Sequence, residues 1–242
     1  MAAGIPAVGR AGGDVPSALL PAWREKRMID NDHVVWELLE SYGTTYSDEA
    51  GIKLADKPSP LYQLHVLSTL LSTRISASVA VAAARELFAA GYRTPAAMSE
   101  ASWQDRVDAL GRGHYRRYDE RTARMLGDAA GMITSDWHGD LRRLRDEADG
   151  DAGRIGTMLT DFPGIGPAGA DIFLREVQAA WPSVAPYADK RVAAGAQRVG
   201  LPADQDKVAG LLADSGRPAE LAAAFVRVSR VRQAAGTAKG LT

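Results

Sequence analysis

The chain has 242 residues, of which 46% are hydrophobic and 24% charged, and its formal net charge is −1. This composition excludes intrinsic disorder for most of the chain, and the length suits one globular domain or two small lobes. The absence of cysteine excludes disulfide frameworks, thiolate-ligated zinc sites and iron–sulfur clusters.

The two ends of the chain differ from its centre. Residues 1–20 and 235–242 are rich in small residues and carry little apolar periodicity, which predicts flexible tails. Residues 1–16 have no compact apolar core like that of a signal peptide, and no stretch approaches the ~18 apolar residues of a membrane helix. We therefore expect a cytoplasmic protein without a membrane span.

Between the tails, apolar residues recur three and four positions apart, as at Val34 and Leu38 and again over residues 61–71. Sustained alternation of the kind that marks a half-buried strand does not occur, and no repeat of fixed period suggests a solenoid. Turn signals divide this region into helix-sized pieces. The sequence predicts an all-α protein with helices near residues 31–42, 59–73, 76–90, 95–101, 103–110, 119–134, 151–161, 167–180, 189–199, 204–214 and 217–233.

Residues 111–124 combine five arginines with Tyr115 and Tyr118. Arginines with interleaved aromatic rings are what phosphate contact and base stacking require. A solvated helix start with ion pairs four residues apart explains the same segment, and the segment alone favours this second interpretation.

The most specific string is Pro163-Gly164-Ile165-Gly166-Pro167. The two glycines permit a tight turn around Ile165, which we expect to point inward, and Pro167 suits the first position of a new helix. The pattern predicts a helix-hairpin-helix whose free amides, including that of Ala168, bind a DNA phosphate without reading bases. An ordinary helical hairpin would explain Pro-Gly-x-Gly by itself.

A second feature follows the hairpin, where Trp181-Pro182-Ser183-Val184-Ala185 and then Pro186-Tyr187-Ala188 lead to Asp189. Hairpin, proline-containing loop and aspartate together resemble the helix-hairpin-helix/Gly-Pro-Asp superfamily of DNA glycosylases, in its endonuclease III and 3-methyladenine branches. The segments from Ser59 to Thr73 and from Ala109 to Tyr115 also resemble the family, so the likeness spans about residues 59–200.

The resemblance implies two helical lobes with a DNA-binding cleft between them: a barrel lobe at about 59–162, and a second lobe from about 21–58 plus 163–234. It makes Asp189 the catalytic carboxylate, which would stabilise positive charge on the deoxyribose and orient water. Its loss should then lower the rate more than DNA affinity. Asp189 also suits a plain N-cap that accepts the amides of residues 191 or 192, and the two roles are compatible.

Further roles come from the same resemblance. Bifunctional members carry a lysine where this chain has Ala168, which implies a monofunctional enzyme because a methyl group is no nucleophile. Lys190 is an amine beside the aspartate, and we assign it to DNA binding, although it keeps residual lyase activity open as an alternative. Arg74 stands where endonuclease III has a glutamine that fills the space of a flipped nucleotide, and a surface ion pair is its alternative role.

The base pocket is the least determined part. Tyr187 is the aromatic candidate nearest Asp189 in the chain, and most of the others should be packing residues; they are Trp36, Tyr62, Trp103, Tyr115, Trp137 and Trp181. The four histidines show no metal-ligand spacing, so we expect no metal or other cofactor, apart from the monovalent cation that hairpin carbonyls hold in this family.

The resemblance implies a monofunctional DNA N-glycosylase of base excision repair, and we expect a monomer that acts on double-stranded DNA in the cytoplasm, or at the nucleoid if bacterial. A helix-hairpin-helix protein that binds DNA without catalysis is the main alternative. An all-α protein without any nucleic-acid ligand is the third. The lesion is not determined by a single sequence.

Overall fold

The computed structural model of the chain describes residues 22–230, with side chains from residue 31 onward. This range holds thirteen α-helices and no strand. They are α1 Ala22–Tyr42, α2 Tyr46–Glu49, α3 Pro58–Leu71, α4 Ala77–Ala89, α5 Pro95–Glu100, α6 Trp103–Arg112, α7 Asp119–Trp137, α8 Arg142–Glu147, α9 Ala152–Leu159, α10 Pro167–Val177, α11 Lys190–Arg198, α12 Gln205–Asp214 and α13 Pro218–Arg230. None of them combines the length and apolarity of a membrane-spanning helix. The predicted tails, 1–20 and 235–242, and the last residues of the predicted helix 217–233 lie outside the described range.

The predicted helices are confirmed to within a few residues, with three differences. Helix α1 extends back to Ala22 instead of starting at residue 31. This part of the helix was not predicted because five charged residues in 22–30 obscure any apolar stripe. Helices α2 and α8 were not predicted, since four and six residues are too short to show a period. Helix α2 depends on local capping instead, in which Thr45 Oγ1 accepts the amide of Asp48 at 3.1 Å.

The larger of two hydrophobic cores surrounds α3. Leu61, Leu64, Leu67 and Leu70 of this helix are 0% exposed, and α3 packs against α4, α7 and α10. Since α3 is covered on several sides, its carboxyl end at residues 72–74 is fixed beside the start of α10.

The smaller core joins α1, α11, α12 and α13 through residues such as Leu38, Val192, Val208 and Phe225. Helices α11 and α13 approach closely at Gly195, where a Cβ atom would lie 2.0 Å from the carbonyl oxygen of Phe225. The two cores form two helical lobes, while the predicted lobe boundaries at residues 58/59 and 162/163 stay a prediction.

Residues 44–49 connect the lobes. The buried carboxylate of Glu176 on α10 accepts the amides of Tyr46 at 3.2 Å and Ser47 at 2.9 Å, and burial raises the pKa of this carboxyl group. From α13, Arg227 donates to the carbonyl of Thr44 at 2.9 Å and pairs with Glu49 at 2.9 Å. The segment therefore holds α10 in a fixed position relative to the smaller lobe.

Candidate nucleic-acid interface

Helices α9 and α10 form a hairpin at the position of the predicted helix-hairpin-helix. Gly164 has φ +91°, and a Cβ atom there would lie 2.9 Å from Cγ2 of Thr69, so this position requires glycine. Ile165 is 4% exposed, which confirms that it points inward. Its amide donates to the carbonyl of Phe162 at 3.1 Å and closes the turn.

The first turn of α10 opens toward solvent. The carbonyl of Gly166 accepts the amides of Gly169 at 2.9 Å and Ala170 at 3.0 Å, while Gly166, Pro167 and Ala168 are exposed and Pro163 is half-buried. First-turn amides have no acceptor within their own helix, and Pro167 has no amide, so Ala168, an exposed residue, has an amide donor without a partner in α10. This arrangement can bind an anion.

A cavity of about 380 Å³ lies beside the hairpin, between the end of α3 and the start of α7. Arg74 and Arg121 are exposed at its rim, and no salt bridge joins either to a carboxylate within the described residues. Ser72 Oγ lies 2.7 Å from the carbonyl oxygen of Thr69 and 3.1 Å from that of Gly164, so its one proton is shared between α3 and the turn. The hairpin and two unpaired cations thus face one opening, while the roles of Arg74 in DNA contact and in filling a vacated base position stay predictions.

The arginine-rich segment divides between surface and core. Tyr115 is 0% exposed, and its hydroxyl lies 2.9 Å from Thr73 Oγ1, so it offers no stacking surface. The Arg117 guanidinium lies 5.2 Å from the centre of the Tyr118 ring, which shows one arginine–aromatic contact. Arg112 pairs at 3.1 Å with Glu86 of α4, rather than with a residue four positions away.

Asp189 is the N-cap of α11, as predicted. Its Oδ1 accepts the amides of Arg191 at 3.0 Å and Val192 at 2.9 Å. Its Oδ2 accepts from Nη1 of Arg175, which reaches across from α10. The two side chains are only 5% and 6% exposed, so Asp189 forms a buried, neutralised ion pair in this conformation. Its catalytic role stays a prediction.

Sequence reasoning missed Arg175. The only signal was a charged residue next to the apolar run Ile172-Phe173-Leu174, and this signal does not name a partner. Lys190, beside the aspartate, is exposed; its contact with DNA stays a prediction.

A second carboxylate lies on the same helix as Arg175. The Tyr187 hydroxyl donates to Oδ1 of Asp171 at 2.7 Å, and both residues are half-buried. The loop carrying Tyr187 is fixed because its amide donates to Oε1 of Gln178 at 2.8 Å. Burial, reinforced by Asp171, raises the pKa of Tyr187, so the phenol remains protonated and keeps donating. A role for Tyr187 in a base pocket stays a prediction.

The remaining aromatic candidates lie mostly in the core. Tyr62 and Trp181 are each 1% exposed, whereas Trp36 and Trp103 are 59% and 39% exposed. Trp137 packs half-buried against the larger core. Within the described residues no group of three or more potential ligands could hold a metal ion. The absence of a cofactor and a monovalent cation at the hairpin both stay predictions.

No protein-family model and no curated protein matches this chain. Among solved structures, the chain is similar to a trapped endonuclease III–DNA covalent intermediate, described as an estranged-adenine complex. The sequences are 15% identical over 86% of this chain and 85% of that chain, with a TM-score of 0.50. At this identity the likeness establishes the fold alone: the chain has a two-lobed, all-α fold that matches endonuclease III.

Proposed function

We propose that the protein binds double-stranded DNA through its hairpin and acts as a monofunctional N-glycosylase of base excision repair. The observation that carries this proposal is the open hairpin turn at the start of α10, in a fold that matches endonuclease III. A fold hosts many functions, so the site has to supply the argument.

Binding would depend on the DNA backbone. The first-turn amide of Ala168 provides an anion site, and Arg74 and Arg121 provide two positive charges at the neighbouring cavity. Lys190 would add a third charge from the start of α11. Because the chain as a whole is nearly neutral, binding would be local and would weaken steeply with salt.

The reaction would be hydrolysis. As the bond between C1′ and the base nitrogen breaks, its electron pair stays on the base and the sugar becomes cationic, so a carboxylate nearby stabilises the transition state. Water then adds to C1′ and leaves an abasic site. Ala168 offers no amine for attack on the sugar, so strand cleavage through a Schiff base would not follow.

The test is a set of duplexes that each carry one damaged or mismatched base. We expect strand cleavage at one of them only after hot alkali, which cuts abasic sites. Cleavage without alkali, or a covalent adduct trapped by borohydride, would contradict the monofunctional proposal. Failure to bind any duplex at about 50 mM salt would contradict DNA binding itself, because phosphate contacts are strongest when salt is low.

One observation favours a second candidate, a DNA-binding protein without catalysis. Arg175 neutralises Asp189, the carboxylate that the family resemblance makes catalytic. Duplex binding without abasic product from any substrate would support this candidate over the glycosylase.

A further inference from the structure

We propose that Asp171, held by Tyr187, is the carboxylate that faces the deoxyribose when DNA is bound, and that Asp189 is the structural partner of Arg175. This inference rests on the proposed function and assigns its charge-stabilising residue. It differs from the resemblance, which points to Asp189.

The position of Asp171 carries the first step. Ala168 is exposed and lines the hairpin cavity. Asp171 follows it by three residues on α10, so it lies on the same helix face, displaced by about 4.5 Å along the axis. It is half-buried, whereas the side chain of Asp189 is 5% exposed. Asp171 is not itself among the residues that line the cavity, but of the two acids it is the more exposed.

The net charge around Asp171 is the second feature that supports this assignment. Asp171 and Arg175 are neighbours four residues apart on α10, Tyr187 contacts the first and Asp189 contacts the second, so the four groups form one cluster. Arg175 and Asp189 cancel each other, and the protonated phenol is neutral. The cluster therefore retains a single negative charge, and Asp171 carries it.

Asp171 and Asp189 also differ in their hydrogen bonds. Oδ1 of Asp171 accepts the Tyr187 hydroxyl at 2.7 Å, and no donor within the described residues contacts Oδ2. This hydrogen bond from the phenol fixes the orientation of the carboxylate. Asp189, by contrast, already accepts two amides and the guanidinium. A free oxygen on an ionised carboxylate can contact a cationic sugar or a water molecule.

In the reaction, Oδ2 of Asp171 would stabilise the positive charge at C1′ as the C1′–N bond breaks and its electron pair stays on the base. The water oxygen bonds to C1′ and loses one proton to Asp171. That proton then passes to the departing base, which restores the carboxylate. A purely structural contact, in which Tyr187 only attaches its loop to α10, is the alternative.

The experiment does not require the lesion to be known. Two duplexes differ at one nucleotide, which carries either a protonated pyrrolidine or a neutral tetrahydrofuran in place of the deoxyribose and base. The pyrrolidine imitates the cationic sugar. We expect the full-length protein to bind the cationic duplex more tightly by about tenfold or more, since an opposite charge at close range is only partly screened.

Asp171→Asn should abolish this preference while retaining affinity for the neutral duplex, since asparagine still accepts from Tyr187. Asp161→Asn is the matched control, because it removes the same charge from an exposed position beside the hairpin, and it should keep the preference. Circular dichroism identifies any variant that fails to fold, and the comparison of the two duplexes with the wild-type protein tests the assignment without any variant.

Each other outcome has a separate meaning. Equal losses in Asp171→Asn and Asp161→Asn would overturn the assignment of Asp171. A wild-type protein that binds both duplexes equally would also overturn it, while hairpin binding would stand. Failure to bind either duplex would instead contradict the proposed function.

Discussion

Alanine substitutions at the two hairpin glycines should affect different properties: Gly164→Ala should lower stability, and Gly166→Ala should lower DNA affinity. Gly164 has φ +91°, and a Cβ atom would lie 2.9 Å from Cγ2 of Thr69, which is 0% exposed on α3. The left-handed backbone costs an alanine about 1–2 kcal/mol. Overpacking against a buried helix adds about 1–3 kcal/mol. We expect Gly164→Ala to lower the free energy of unfolding by about 2–5 kcal/mol.

Gly166→Ala should leave stability nearly unchanged. Gly166 has φ −100°, and no atom lies within 4 Å of a Cβ atom built there. Alanine also restricts the unfolded chain, so the change should stay within about 1 kcal/mol. The new methyl group would instead project into the space where we expect a phosphate. Loss of one charge-assisted hydrogen bond of about 1.5–3 kcal/mol would weaken duplex binding by about tenfold or more.

Urea unfolding followed by circular dichroism gives the stabilities, and fluorescence anisotropy with a labelled duplex gives the affinities. Equal losses of stability in the two variants would show that Gly164 does not require glycine more than Gly166 does. Wild-type affinity of Gly166→Ala for the duplex would show that no phosphate binds beside Gly166.

Three further predictions concern single side chains. Burial lowers the pKa of His65 from 6.5 to about 4. Between pH 6.5 and 4 the unfolded chain therefore binds more protons than the folded chain. The free energy of unfolding measured in urea should fall by on the order of 3 kcal/mol as the pH falls from 6.5 to 4. His65→Phe should flatten this dependence and His33→Gln, at an exposed position, should not; a wild-type slope in His65→Phe would contradict the assignment. Ala168→Lys should yield a borohydride-trapped adduct on a duplex with an abasic site, and an equal adduct with the parent would point to another amine. Arg175→Met should lower the free energy of unfolding in urea by about 3–5 kcal/mol, because it leaves the buried charge of Asp189 unpaired. The double variant Arg175→Met/Asp189→Asn should recover part of this loss, whereas additive losses from the two substitutions would argue against the pair.

Local chemistry made part of the site predictable. The inward position of Ile165 and the capping role of Asp189 each depend on residues within a few positions, where turn geometry and free amides determine the outcome. The ion pair with Arg175 could not be predicted, because it depends on how α10 and the loop before α11 approach each other. Helix α2 was missed because four residues show no period, and the contact of its amides with Glu176, 130 residues from Tyr46, could not be predicted either.

The ion pair also limits how Asp189 could take part in catalysis. Exposing Asp189 means removing Arg175 from a buried pair, which costs about 3–5 kcal/mol unless another anion receives the guanidinium. A DNA phosphate is such an anion, but it would have to reach a side chain that is 6% exposed. Asp171 needs no such exchange, because its Oδ2 is already without a donor among the described residues. Charge stabilisation through Asp171 therefore requires less rearrangement of this fold than stabilisation through Asp189.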